Sequence, residues 1–159
     1  MLETKQVIEE LSGVHEAIRH YVAELKDNVG DLESLSSQCT GEWNSQQCRT
    51  IEERQFDLKQ NIQYLEKGLQ EHYEKESPLL KPLIGELLMK TISRECQEIN
   101  SQFERAKALV AELSQGLPTA RELSTKTTEA RKVIETFSQL VNEHSLKMDM
   151  LLQMLKSAI

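Results

Sequence analysis

The chain has 159 residues, of which 38% are hydrophobic, 28% charged and 4% aromatic, with six glycines and three prolines. That balance is too poor in glycine and proline for a β-sandwich, a collagen or a flexible linker, and too apolar for a disordered tail. A formal charge of −7 argues against nonspecific nucleic-acid binding, and no apolar run approaches the ~20 residues of a membrane span.

Along the whole chain, apolar side chains recur in steps of three and four. The first seam runs Val7, Leu11, Val14, Ile18, Tyr21, Leu25, Asn28, Leu32 and Leu35. A helix turns once in about 3.6 residues, so these positions fall on one stripe. A second seam runs Cys48, Ile51, Gln55, Leu58, Ile62, Leu65, Leu69 and His72. The third is Met89, Ile92, Cys96, Ile99, Phe103, Ala106, Val110 and Leu113, and the fourth Ala130, Val133, Phe137, Leu140, His144, Met148, Leu151 and Leu155. A sustained period near 3.5 is the mark of coiled-coil-type packing. No stretch alternates with the period of two that strands require.

Three breaks separate the seams. The first, from Ser36 to Ser45, holds Cys39, Thr40 and Gly41, with Thr40 a candidate cap for the second helix. Pro78 and Pro82 mark the second, because two prolines four residues apart cannot both sit in a helix's first turn. In the third, Gly116 is a candidate C-terminal cap, and Thr119 with Glu122 makes a capping-box pattern. The expected fold is all-α: a single domain over 1–159, with four long helices near 2–37, 43–76, 82–115 and 119–158. Short connections make consecutive helices antiparallel neighbours in an elongated bundle.

Charge divides unevenly. Residues 1–77 carry eight Lys/Arg and sixteen Asp/Glu, a net of −8, whereas 78–159 carry eleven and ten, a net of +1. The acidic half is expected either to present solvated faces, to attract a basic partner, or to dock on the neutral half.

Catalytic chemistry is hard to find. Glu16, His20 and Glu24 have i, i+4 spacings, but a metal needs further converging ligands, and no H-E-x-x-H or C-x-x-C occurs. His72 and His144 read as partly buried polar seam positions that help set register, and Cys48 and Cys96 as small hydrophobes. An odd count of three cysteines fits a reducing compartment better than a disulfide scaffold. Phosphate-cradling and hydrolase glycine motifs are absent from the sequence. No catalytic, cofactor-binding or metal-ligating residue is therefore assigned. The candidates for partner binding are Trp43, at the head of the second helix, and the apolar cluster Leu79, Leu80, Leu83, Ile84, Leu87 and Leu88. That cluster either closes the end of the bundle or forms a docking patch.

In the second helix, Ile51, Arg54, Leu58, Ile62 and Leu65 have a spacing that resembles the third-helix pattern of spectrin repeats, I-x-x-R-L-x-x-L-x-x-x-W-x-x-L. Val133, Thr136, Leu140 and His144 give a fainter echo. Gln55 stands where that pattern has an apolar residue, and Ile62 where it has Trp. The resemblance covers about fifteen residues and implies a spacer and docking segment of a larger scaffold of the cytoskeleton or nuclear envelope. The expected function is a cytoplasmic, non-enzymatic interaction module that binds other proteins, basic helices or cytoskeletal proteins among them. The alternative is a coiled-coil subunit of a tethering or assembly complex, whose seams a second chain completes. Monomeric and oligomeric forms both satisfy the pattern.

Overall fold

The computed structural model describes residues 2–39 and 41–158. Every regular element among them is an α-helix: α1 (Leu2–Gln38), α2 (Ser45–Leu80), α3 (Glu86–Leu113) and α4 (Ala120–Ala158). α1 packs against both α2 and α4, α3 packs along α4, and the α2–α3 side is the loosest. The helices form an antiparallel up-down-up-down bundle, as the short connections require. At 1.5 Å per residue, the 37 residues of α1 span roughly 56 Å.

The seams lie where their period places them, but the buried stripe on α1 is wider than a two-helix seam. Ile8, Val22 and Val29 are buried beside Leu11, Ile18, Leu25 and Leu32, because α1 faces two neighbours at once. Gly68 marks a close approach between α1 and α2: a Cβ there would stand 3.1 Å from Ile18 Cγ1.

The breaks are set by local chemistry. Thr40 lies outside the described residues; Asn44 caps α2 instead, its side chain accepting from Gln47 N at 2.8 Å while Gln47 Oε1 accepts from Asn44 N at 2.9 Å. α2 continues through Pro78 to Leu80, four residues past the expected end, and the connection holds Pro82. Only the bond that Pro78 itself would donate is lost, and Lys81 N still bonds Ser77 O at 3.0 Å. At the opposite end, Gly116 takes the left-handed conformation (φ 64°) that a residue with a Cβ adopts rarely. Thr119 Oγ1 accepts from Glu122 N at 3.2 Å at the start of α4.

Two seam polar residues find specific partners. Gln55 Nε2 donates to Leu113 O and Gly116 O, both at 2.8 Å, and so satisfies two carbonyls where α3 ends. Asn28 Nδ2 donates to Asn61 Oδ1 at 2.7 Å, and Asn61 Nδ2 to Glu24 Oε2 at 3.1 Å. Cations of the second half also reach the acidic first half: Arg131 pairs with Glu33, Lys156 with Glu9 and Lys107 with Glu66. These pairs lie at the surface, where water and salt screen them. No helix among the described residues is long and apolar enough to cross a membrane.

Candidate functional site

The core is not continuous. A large apolar cluster, from Val14 and Leu69 to Leu32 and Leu123, fills most of the bundle. A smaller one, built on Ile8, Leu11, Leu80, Ile92, Met148 and Leu152, fills the end near the α2–α3 turn. Between them lies a polar layer to which all four helices contribute: His15 from α1, His72 and Glu76 from α2, Cys96 from α3 and His144 from α4.

The layer is dry. His15, His72, Glu76 and His144 are each at most 3% exposed, and Cys96 is half-buried. Glu76 is the hub. Its carboxylate is 3.2 Å (Oε1) and 3.3 Å (Oε2) from His144 Nε2, 3.6 Å (Oε2) from His15 Nε2, and in direct contact with His72 Nε2. Cys96 Sγ donates to Glu76 Oε1 at 3.7 Å and lies 3.9 Å from His144 Nε2. The imidazoles of His15 and His72 have centroids 5.0 Å apart, and those of His72 and His144 5.3 Å.

Outer carboxylates orient two of the rings. His15 Nδ1 meets Asp149 Oδ1 at 2.8 Å, and Arg19 holds the other Asp149 oxygen at 3.1 Å. His144 Nδ1 faces Glu95 Oε1 at 3.3 Å, and Lys147 holds Glu95 Oε2 at 3.1 Å. A carboxylate only accepts, so each Nδ1 carries the hydrogen and each Nε2 is turned inward to Glu76. Polar atoms nevertheless remain without a hydrogen bond: His15 Nε2 and both ring nitrogens of His72, which touches Glu76 without hydrogen-bond alignment.

Electrostatics follow from that crowding. Burial alone raises a carboxylate's pKa, but the imidazoles of His144, His15 and His72 outweigh it and hold Glu76 well below the usual carboxylate range. For His144 burial works downward, and contacts with Cys96 and Glu76 reverse it, so the ring is pushed up to about 10. Burial dominates at His72, which is lowered, and at Cys96, which is raised. Burial also raises Tyr73, whose hydroxyl donates to Cys96 O at 3.2 Å. The layer thus holds one anion against imidazoles competing for it, and a positive charge among them is needed to balance that anion.

The residues proposed from sequence divide by location. Trp43 is half-buried, and its Nε1 donates to Pro118 O at 2.7 Å, fastening the far end of the bundle. Leu80 is wholly buried and belongs to the smaller core, against which Leu79 and Ile84 pack, because α2 runs on to Leu80 and turns it inward. Leu83, Leu87 and Leu88 are exposed, Leu87 to 81%. The chain thus both closes its end and leaves three leucines in water there.

The reading of His72 and His144 as partly buried, and of Cys96 as a plain hydrophobe, needs correction. Both histidines are fully buried, and the thiol faces a carboxylate and a ring nitrogen. Two members of the layer escaped the sequence reading. Glu76 lies one step of four beyond His72, so extending the second seam once more would have put a carboxylate on it. His15 is adjacent to the seam residue Val14, and only the wide stripe of α1 buries it. No metal ligand was expected from sequence, yet His72, Glu76, Cys96 and His144 offer ligand atoms within 4.8 Å of one another.

Comparison of the chain with known protein families, with curated proteins and with solved structures returns no match.

Proposed function

We propose that this chain is a non-enzymatic protein-interaction module, a spectrin-like bundle segment of a larger scaffold of the cytoskeleton or nuclear envelope. The observation that supports this reading is the apolar surface at one end of the bundle. Leu83, Leu87 and Leu88 are exposed beside the α2–α3 turn, and Met150 and Met154 are exposed on the part of α4 that reaches the same end. Large apolar side chains gathered in water at one end offer contact area to a partner, and methionine adapts to varied partner shapes. Glu3, Glu74 and Glu86 are exposed at that end too, alongside Lys81 and Lys90, so an amphipathic helix that carries basic residues finds both apolar contacts and carboxylates to pair with.

A labelled basic amphipathic helical peptide, titrated by fluorescence anisotropy, tests this. Binding that Leu83→Ser, Leu87→Ser and Leu88→Ser together abolish, with helicity retained, is the expected outcome. Binding unaffected by the triple variant, or none at all, would overturn the assignment to this end.

One observation favours assembly with a second chain instead. Leu146, Met150 and Met154 stand at i, i+4 and i+8 on α4, exposed to 63, 70 and 69%. Such a stripe is what a further helix would pack against. Sedimentation separates the two: a monomer of 18.3 kDa fits the module, and an obligate oligomer fits the assembly subunit.

A further inference from the structure

We propose that His72, Glu76, Cys96 and His144 form a binding site for a single zinc(II) ion inside the bundle. Three lines of geometry lead there. The first is the spacing of the donors. Zinc bonds of roughly 2.0–2.3 Å set in a tetrahedron place the ligand atoms about 3.3–3.8 Å apart. His144 Nε2 to Glu76 Oε1 is 3.2 Å, Cys96 Sγ to Glu76 Oε1 is 3.7 Å, and Cys96 Sγ to His144 Nε2 is 3.9 Å. Three of the donors therefore already stand close to tetrahedral edges, and with His72 all four lie within 4.8 Å of one another, supplied by three helices that packing holds in register.

The second is the set of unsatisfied atoms. His72 is 97% buried by the complement of its 3% exposure, and neither of its ring nitrogens has a hydrogen-bond partner. Its Nε2 is turned toward the carboxylate of Glu76 and is in direct contact with it. His144 has the arrangement typical of a zinc-bound histidine: Nδ1 on the Glu95 carboxylate, Nε2 turned to the centre.

Charge is the third. A dication with the Glu76 carboxylate and the Cys96 thiolate makes a neutral buried unit. On binding, the ion accepts a lone pair from each donor, and the protons of the Cys96 thiol and of protonated imidazole leave to solvent. Two nitrogens, one sulfur and one oxygen are a mixed, borderline-soft donor set that suits zinc, whereas magnesium and calcium prefer oxygen alone. A groove of about 210 Å³ on the loose α2–α3 side, lined by Glu76 and Cys96, offers the route of entry. His15, anchored on Asp149, stands next to the four donors with its Nε2 3.6 Å from Glu76 Oε2.

The experiment uses the full chain, stripped with chelator and loaded separately with zinc(II) and cobalt(II). One equivalent of zinc is expected to survive gel filtration and to raise Tm. Cobalt is expected to give tetrahedral visible bands and a near-ultraviolet thiolate-to-metal band. Cys96→Ser should remove the thiolate band, while Cys39→Ser and Cys48→Ser leave it intact. Glu95→Gln, which leaves all four donors in place, should weaken zinc binding about 10–100-fold. Circular dichroism checks that each variant is folded. Failure of the folded wild-type chain to retain zinc, or a thiolate band that persists in Cys96→Ser, would overturn the site.

Discussion

Replacing Gln55 by leucine is the sharpest test of the architecture, because pattern and structure predict opposite signs. The spectrin-type spacing has an apolar residue at this seam position, so Gln55→Leu should stabilise the chain if only the seam mattered. In the structure the Gln55 amide donates to Leu113 O and Gly116 O, each at 2.8 Å, where α3 has run out of its own donors. Leucine cannot donate. Each carbonyl left without a partner costs about 1–3 kcal/mol, with the buried Leu113 oxygen nearer the upper end, so the two together cost about 4 kcal/mol. An added apolar side chain at a site 9% exposed returns at most about 2 kcal/mol. The net expectation is a loss of about 2 kcal/mol, which for a chain of this size lowers Tm by roughly 4–8 °C. Urea unfolding followed by circular dichroism measures it, and Gln55→Glu, which also lacks the donor, should fall at least as far. A Gln55→Leu variant as stable as the parent or more so would refute the claim that this side chain ties α2 to the end of α3.

Leu58, wholly buried on the same helix, is a simpler case: Leu58→Asp places a charge in the core and should cost at least about 3–5 kcal/mol, seen as a collapse of helicity and Tm. Gly30→Ala sets a Cβ in open space inside α1 and should gain about 1 kcal/mol, or roughly 2–4 °C in Tm. Gly68→Ala should gain less in the same melting assay, because its Cβ would press on Ile18 at 3.1 Å. In the metal-free chain, His144 is faced by Glu76 and His72 from α2, Glu95 and Cys96 from α3, and His15 from α1. Its pKa is about 10 folded against an ordinary 6.5, so its share of stability is whole below pH 6.5 and is lost as pH rises through about 10. Urea midpoints taken in chelator should fall across that window, and His144→Gln should flatten the fall.

The four helices and most of their buried faces are legible in the sequence because a period of 3.5 is a property of each segment by itself. Ile51, Leu58 and Leu65 are buried in the structure as the seam demands, and so are Ile99, Phe103 and Val110. The ends are less legible. α2 passes Pro78 because one missing donor near a helix end is tolerated once Leu80 has a core to enter. The polar layer was visible only in fragments. His72, Cys96 and His144 are seam positions in the sequence, but His15 and Glu76 differ from ordinary surface residues only in what faces them.

Sequence alone determined that this chain is an acidic, four-segment, all-helical protein whose stability rests on aliphatic seams, since periodicity and composition are local quantities. Tertiary structure decided everything that depends on which helix faces which. It closed Leu80 into the core while leaving Leu87 in water, and it assigned Gln55 to the end of α3. It also gathered His15, His72, Glu76, Cys96 and His144 into one polar layer inside the bundle. The physical reason is that donor and acceptor geometry across a bundle depends on residues far apart in the chain, 134 positions for His15 and Asp149 and 147 for Glu9 and Lys156, and no local period encodes it.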